Sequence, residues 1–135
     1  MKIALIGCVK KKADSACKAK DMYISPLFKG CYQLAKKEGA EKIFILSAKY
    51  GLIDENDIIE PYNETLNNKT ERERKIWAYN ILQKLIGGGY KLDSDEFIIL
   101  AGINYRKWII KKLKKYTIPL QGMSLFKQIS YLKKI

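Results

Sequence analysis

The sequence contains no histidine among its 135 residues. Imidazole titrates near neutral pH and is the commonest metal ligand, so its absence removes several chemistries at once. Ser-His-Asp and Cys-His catalytic units and histidine-ligated zinc are excluded. Any acid–base step must therefore use Asp, Glu, Lys, Tyr or Cys side chains, or a group of the substrate.

Cysteine is scarce, and long apolar runs are missing. The three cysteines, Cys8, Cys17 and Cys31, are odd in number and show no C-x-x-C spacing, which argues against a disulfide framework and a zinc ribbon. No apolar run exceeds six residues, so we expect neither a membrane span nor a signal peptide. These absences predict a cytoplasmic protein without a membrane partner, a bound metal or a cofactor.

Positive charge is in large excess. The chain has 26 lysines and arginines against 14 aspartates and glutamates, a net charge of +12, and residues 106–135 carry nine basic and no acidic side chains. This asymmetry predicts an anionic partner, with a nucleotide, DNA or RNA first. The alternative is a lysine-rich composition without a binding role, because only three of the basic residues are the arginines that specific phosphate readers favour.

Four apolar segments alternate with helical patterns along the chain, which at this length we treat as one domain over residues 1–135. The predicted strands are 2–8, 42–47, 96–101 and 117–120, and 50–69 is a long polar connection. Each predicted helix begins at a residue typical of an N-cap: Ser25 before Pro26, Thr70 in a capping box with Glu73, Asn104, and Ser124.

Continuous apolar strands between helices indicate a parallel sheet covered on both faces. We therefore predict a single α/β domain of three layers, doubly wound, with a four-stranded, mainly parallel sheet in the order 2-1-3-4. Ligands of such sheets bind at the carboxyl ends of the strands, where the strand order reverses. Here that point lies between the first and third predicted strands.

The first predicted strand ends in a cysteine followed by lysines. Lys10 and Lys12 are candidates to hold a phosphate, and Cys8 is a candidate nucleophile favoured by the nearby positive charge. No Walker or G-x-G-x-x-G spacing is present, so a solvated lysine loop is the alternative. For Cys8 the alternative is a small buried residue at a strand end, because no histidine is available as its base.

The segment before the first long helix combines a carboxylate, a phenol and an N-cap. Asp21 and Tyr23 are a candidate polar pair over a ligand. Ser25 is a further candidate substrate-binding residue, although by itself it is most simply a helix cap. The second strand ends in Ser47, Lys49 and Tyr50, which suit a phosphate and the plane of a base.

The long connection and the third strand complete the candidate set. Glu60 and Tyr62 lie in a loop whose length is typical of functional loops. Gly102 allows a ligand to approach the backbone, and Tyr105 follows it. We expect six residues to line a single pocket with Tyr62 at its rim: Cys8, Asp21, Tyr23, Ser47, Lys49 and Gly102. The alternative for Tyr23 and Tyr62 is half-buried packing with solvated hydroxyls.

The same residues carry a family resemblance. The chain resembles an uncharacterised prokaryotic family of small α/β domains with the pattern C-S-K-x-K, A-x-D-L-Y-x-S-P-L-F, S-A-K-Y-G-L, P-Y-x-x-x-L, A-G-x-x-Y and P-L-x-G. Val9 stands where the pattern has serine. The matching positions are Cys8 with Lys10 and Lys12, 19–28, 47–52, Pro61 and Tyr62 with Leu66, Ala101 and Gly102 with Tyr105, and Pro119 and Leu120 with Gly122.

More distantly, the chain is similar to the core domain of archaeosine synthase, to the uracil-DNA-glycosylase fold and to the DNA-binding peroxide-stress YaaA proteins. The resemblance implies that the chain handles a nucleobase or nucleic acid, and it supplies no reaction. The water-activating signature of the glycosylases is absent, so uracil excision is not implied.

The leading hypothesis is an enzyme that acts on a nucleobase, a nucleotide or a base of a nucleic acid by glycosidic-bond or base-modification chemistry. Carboxylates alone can cleave glycosidic bonds, which suits a chain without histidine. The roles would be divided between Asp21 or Glu60 as general acid or base, Lys10, Lys12 and Lys49 for phosphate, and Tyr23, Tyr50 or Tyr105 for stacking. A non-catalytic nucleic-acid-binding module with a basic surface and a protein that binds a small anion are the alternatives.

Overall fold

The computed structural model describes all residues, 1–135, as a mixed α/β fold. Seven strands form: β1 (Lys2–Gly7), β2 (Cys17–Lys18), β3 (Lys42–Ser47), β4 (Gly51–Asp54), β5 (Ile58–Ile59), β6 (Glu96–Leu100) and β7 (Lys115–Thr117). The helices are α1 (Ala19–Met22), α2 (Pro26–Lys37), a 3₁₀ turn (Leu66–Asn68), α3 (Glu71–Gly87), α4 (Ile103–Ile110) and α5 (Leu125–Lys133).

The main sheet has five strands in the order β4-β3-β1-β6-β7, and β2 pairs with β5 in a separate ribbon. The four parallel strands have the predicted spatial order, β3-β1-β6-β7. The predicted number of strands is wrong, because β4 adds an antiparallel strand at the edge of the sheet. Gly51 has a φ of +75°, which lets the chain turn back directly after β3 and bury Leu52 and Ile53. This strand lies within residues 50–69, for which the sequence predicts a polar connection.

The last strand also differs from the prediction of 117–120. It is Lys115–Thr117, all exposed, and it pairs with β6 from Glu96 to Ile98. Pro119 has no N–H to donate to a neighbouring strand, and residue 121 donates its N–H to the carbonyl of Ile118 in a turn. The chain therefore leaves the sheet earlier than its apolar residues suggested.

Three of the four predicted N-caps are confirmed, those of α2, α3 and α5. Asn104 is not a cap: α4 begins at Ile103 after Gly102, which makes no side-chain cap bond. The Asn104 amide instead donates to Asn67 Oδ1 at 3.0 Å. This bond ties the start of α4 to the 3₁₀ turn at the carboxyl end of the sheet.

The sheet separates two apolar clusters, which makes three layers. Successive residues of β1 point to opposite faces, so Ala4 and Ile6 join one cluster and Ile3 and Leu5 the other. The first cluster is covered by α2 and α5, and the second by α3 and α4. No helix has the length and apolar character needed to cross a membrane.

Candidate functional site

A cavity of about 620 Å³ opens at the carboxyl end of β1. We call it the strand-end cavity. One part of its wall is apolar, two lysines reach it, and the loop that precedes α3 supplies polar groups. Its lining consists of Cys8, Val9, Lys10, Lys12, Leu27, Asn63, Glu64, Thr65, Asn67, Tyr105 and Leu125.

A buried chain of hydroxyl groups lies next to this cavity. Ser47 is the one polar residue in the buried core, and its Oγ donates to Tyr62 Oη at 2.8 Å. Tyr62 Oη lies 2.7 Å from Tyr23 Oη, and these two side chains are 8% and 1% exposed. The alternative of half-buried tyrosines with solvated hydroxyls is therefore wrong. Ser47 Oγ also accepts the backbone N–H groups of Lys49 and Tyr50, which fixes the turn after β3.

Tyr23 has both of the other hydroxyls as partners. Burial raises the pKa of Tyr23, and its hydrogen bonds with Tyr62 and Ser47 oppose this rise. The three hydroxyls therefore satisfy one another inside the core, where a donor without an acceptor would cost about 1–3 kcal/mol.

Cys8 and Tyr105 form the wall of the cavity on the side of α4. Cys8 Sγ lies 3.5 Å from Tyr105 Oη, which also accepts the backbone N–H of Leu66 at 3.2 Å. Burial, with the adjacent Cys8, raises the pKa of Tyr105 to about 12. Burial likewise raises the pKa values of Tyr23 and Tyr62. All three phenols are therefore neutral at physiological pH and act as hydrogen-bonding groups rather than as bases.

Lys12 covers the hydroxyl chain. Its Nζ lies 4.4 Å from the ring centroid of Tyr62 and 6.0 Å from that of Tyr23, and it donates to the Lys10 carbonyl at 3.2 Å. An antiparallel bridge between Lys12 and Tyr23 fixes the backbone beneath. Partial burial lowers the pKa of Lys12, opposed by the nearby Cys8. The ammonium group is thus partly desolvated at the cavity wall, where an anion would restore its lost solvation.

A second, small cavity of about 100 Å³ lies between β1 and the start of α4. Cys8 lines both cavities, and Gly102 and Arg106 line only this one. A Cβ at Gly7 would lie 3.1 Å from Ala101 Cβ, so glycine permits the close approach of the two strand ends. Arg106 is not among the site residues predicted from the sequence. Its guanidinium donates a hydrogen bond to the carbonyl of Ala101 at 2.9 Å.

The structure divides the expected single pocket. Asp21 is exposed in a separate depression with Tyr23, and Lys49 is exposed in another with Tyr50. These two depressions share no lining residue with each other or with the strand-end cavity. The turn after Ser47 lies against α3: Lys84 Nζ donates to the carbonyl of Tyr50 at 3.4 Å, and Trp77 and Lys84 line the depression that holds Lys49.

The other predicted residues are also placed. Glu60 is exposed and accepts from Tyr50 Oη only through its backbone carbonyl, at 3.3 Å. Ser25 accepts the N–H of Phe28 as the N-cap of α2, in agreement with the simpler of its two interpretations. No group of three or more Cys, Asp or Glu side chains is arranged to hold a metal ion.

Sequence reasoning missed most of the polar residues of the cavity wall. Asn63, Glu64, Thr65 and Asn67 follow Tyr62 directly, in the connection that was singled out for its length. Their position after Tyr62 was a usable signal, because that tyrosine was already assigned to the rim. Leu125 could not be found in this way, since its helix reaches the cavity only through packing against α2.

Comparison with known protein families matches residues 3–134 to a family of unknown function (DUF6884), and the chain belongs to this family. No curated protein and no solved structure matches the chain. The more distant similarities to archaeosine synthase, the uracil-DNA-glycosylase fold and the YaaA proteins receive no support from these comparisons.

Proposed function

We propose that this member of the DUF6884 family binds a nucleobase or nucleotide in the strand-end cavity and acts on it by glycosidic-bond or base-modification chemistry. The observation that carries the proposal is one cavity with an apolar wall, a partly desolvated lysine and a polar loop at the carboxyl end of the central strand. Ligands of open α/β sheets bind at this place, near the point where strand order reverses.

The shape and lining of the cavity suit a base. Its volume of about 620 Å³ lies within the usual range of small-molecule sites, roughly 300–1,000 Å³. Val9, Leu27 and Leu125 supply apolar surface for the faces of a planar ring. Asn63 and Asn67 carry amide groups, which can both donate to and accept from the polar edge of a base.

The lysines favour a ligand that carries phosphate. Lys10 and Lys12 line the same cavity, and the four salt bridges of the structure include neither of them. Because Lys12 is partly desolvated and has no carboxylate partner, a phosphate oxygen gains a charge-assisted hydrogen bond there.

For the chemistry, the geometry favours Glu64 over the carboxylates chosen from the sequence. Glu64 lines the strand-end cavity, whereas Asp21 and Glu60 do not. In hydrolysis of an N-glycosidic bond, Glu64 accepts a proton from the water that attacks the sugar carbon. The base then leaves with the bonding electron pair and takes up a proton. Cys8 is the nucleophile of the competing covalent route. Its sulfur attacks the same carbon, the base leaves with the bonding electron pair and takes up the thiol proton, and water then hydrolyses the sulfur–carbon bond and restores the thiol.

The test measures binding and turnover separately. Purified protein is incubated with ribo- and deoxyribonucleotides and with oligonucleotides, binding is measured by calorimetry, and released or altered bases are measured by chromatography. We expect Lys12→Gln to weaken nucleotide binding about 10-fold or more, since a hydrogen bond to a charged group contributes about 1.5–3 kcal/mol. Lys49→Gln is the matched control and should change binding less than about twofold.

Turnover discriminates between the carboxylates. Glu64→Gln should abolish base release while nucleotide binding persists, and Glu60→Gln should leave both unchanged. Base release that survives Glu64→Gln and is lost in Cys8→Ser assigns the step to the covalent route. The proposed binding site is wrong if nucleotides bind and Lys12→Gln and Lys49→Gln weaken binding equally.

A non-catalytic nucleic-acid-binding module is the second candidate, and the net charge of +12 favours it. It predicts oligonucleotide binding with a steep salt dependence and no altered base with any substrate.

A further inference from the structure

Three lysine side chains surround a single tryptophan on the helical face formed by α3 and α4. The Nζ atoms of Lys75, Lys107 and Lys111 lie 4.4, 5.1 and 4.5 Å from the ring centroid of Trp108. We call this group the Trp108 cluster. Any two of its ammonium groups are at most about 10 Å apart, comparable to the Debye length at physiological ionic strength.

The positive charge of the Trp108 cluster is poorly neutralised within the protein. Glu71 contacts Lys107 at 2.9 Å and is shared with Arg74 at 3.5 Å. Neither Lys75 nor Lys111 has a carboxylate within 4.0 Å. Cation–π attraction contributes about 0.5–1 kcal/mol per exposed pair and does not remove the repulsion among the three charges. An external polyanion would remove it.

The Trp108 cluster lies close to the strand-end cavity. Tyr105, which lines the cavity, precedes Trp108 by three residues on α4, so the two side chains are neighbours along the helix surface. One helical turn is about 5.4 Å. At the start of α4, next to Tyr105, the Asn104 amide donates a hydrogen bond to Asn67 of the cavity wall. A chain bound in the cavity can thus continue onto the cluster.

We propose that the Trp108 cluster binds the phosphate backbone of a nucleic-acid strand and that the strand-end cavity receives a base of that strand. This inference rests on the proposed function and specifies that its substrate is a nucleic-acid strand rather than a free nucleotide. A strand carries one negative charge per nucleotide, so three ammonium groups within about 10 Å of one another can contact neighbouring phosphates of the same strand. The lysines already cover the Trp108 ring, which indicates backbone contact rather than stacking of a base on the indole.

The test compares two triple variants with equal net charge. One replaces the cluster (Lys75→Gln, Lys107→Gln and Lys111→Gln), and the matched control replaces exposed lysines elsewhere (Lys18→Gln, Lys37→Gln and Lys133→Gln). Fluorescence anisotropy measures binding of labelled single-stranded DNA and RNA oligonucleotides over a series of salt concentrations. Circular dichroism melting checks that both variants fold.

We expect the cluster variant to lower the slope of log K against log salt by about 2, because each single-strand phosphate contact contributes about 0.7. Its affinity at low salt should fall at least about 30-fold, and that of the control less than about threefold. Equal losses in the two variants, or no loss in the cluster variant, would overturn the inference. Binding of a mononucleotide, which tests the cavity separately, should be the same in both variants. If mononucleotides bind neither variant nor the parent while the cluster effect remains, the proposed function fails and the strand-binding surface stands.

Discussion

The hydroxyl chain of Ser47, Tyr62 and Tyr23 and the Trp108 cluster handle polar groups in opposite ways. The hydroxyl chain is buried, uncharged and hydrogen-bonded. The Trp108 cluster is charged, lies at the surface and is mutually repulsive. Burial makes each hydrogen bond of the first region important for folding, while solvent and salt weaken each contact of the second. The first should therefore govern stability and the precise placement of a ligand, and the second the strength and salt dependence of association.

Raising the pH should have the largest effect, because it ionises the buried tyrosines and lowers the free energy of unfolding. Burial raises the pKa values of Tyr23, Tyr62 and Tyr105 in the folded state, that of Tyr105 to about 12. A group with a raised folded pKa stabilises the fold below its unfolded pKa, and this contribution is lost as the pH rises toward the folded value. Each group lowers the free energy of unfolding by up to about 1.4 kcal/mol per pH unit above pH 10.

Chemical denaturation at pH 8, 10 and 11.5, with tyrosinate absorbance at 295 nm, measures this effect. We expect cooperative unfolding between pH 10 and 12. Tyr105→Phe should lower the number of protons released on unfolding in this pH range by up to about one. A free energy of unfolding that is constant up to pH 11.5 would show that the phenols are not buried as described.

Ser47→Ala should have the next largest effect. The substitution removes the donor to Tyr62 and the acceptor of the N–H groups of Lys49 and Tyr50, all inside the core. We expect a loss of about 2–4 kcal/mol in the free energy of unfolding. Ser25→Ala, which removes a helix cap at the surface, is the control and should cost about 1 kcal/mol. Urea denaturation compares the two, and equal costs would remove the distinction between a buried and a surface hydroxyl.

Glu71→Gln changes the charge of the Trp108 cluster and should have the smallest effect. It removes the one carboxylate that contacts Lys107, so the Trp108 cluster becomes more positive. We expect oligonucleotide affinity at low salt to rise about threefold, an increase that disappears at high salt. Glu73→Gln, on the same helix, is the control, because that carboxylate bonds the backbone N–H of Thr70. A fall in affinity on Glu71→Gln would mean that this carboxylate, rather than the lysines, organises the surface.

Local patterns predicted most of the fold. The first three parallel strands, the order of the four and three N-caps followed from apolar periodicity, the rules for crossover connections and capping residues. The antiparallel strand Gly51–Asp54 was missed because two apolar residues in a polar stretch give too short a pattern, and its partner is identified only by the turn after Ser47.

The candidate site was harder to predict than the fold. Cys8, Lys12 and Tyr105, three of the candidates chosen by the rules for strand ends, line one cavity. The same rules placed Asp21 and Lys49 with them, because sequence position does not tell which way a side chain turns after it leaves the strand. The Trp108 cluster could not be predicted from the sequence, because Lys75 lies on a different helix, far from Trp108 along the chain.

The proposed site is tested most directly by finding where a nucleotide binds. Backbone amide chemical shifts of isotope-labelled protein are followed by nuclear magnetic resonance while a mononucleotide is added up to roughly 1 mM, a concentration that detects even weak binding. We expect saturable shifts centred on Cys8, Lys12, Thr65 and Tyr105, with none around Asp21 or Lys49. Shifts centred on Asp21 or Lys49, or none with any nucleotide, would show that the strand-end cavity is not the binding site.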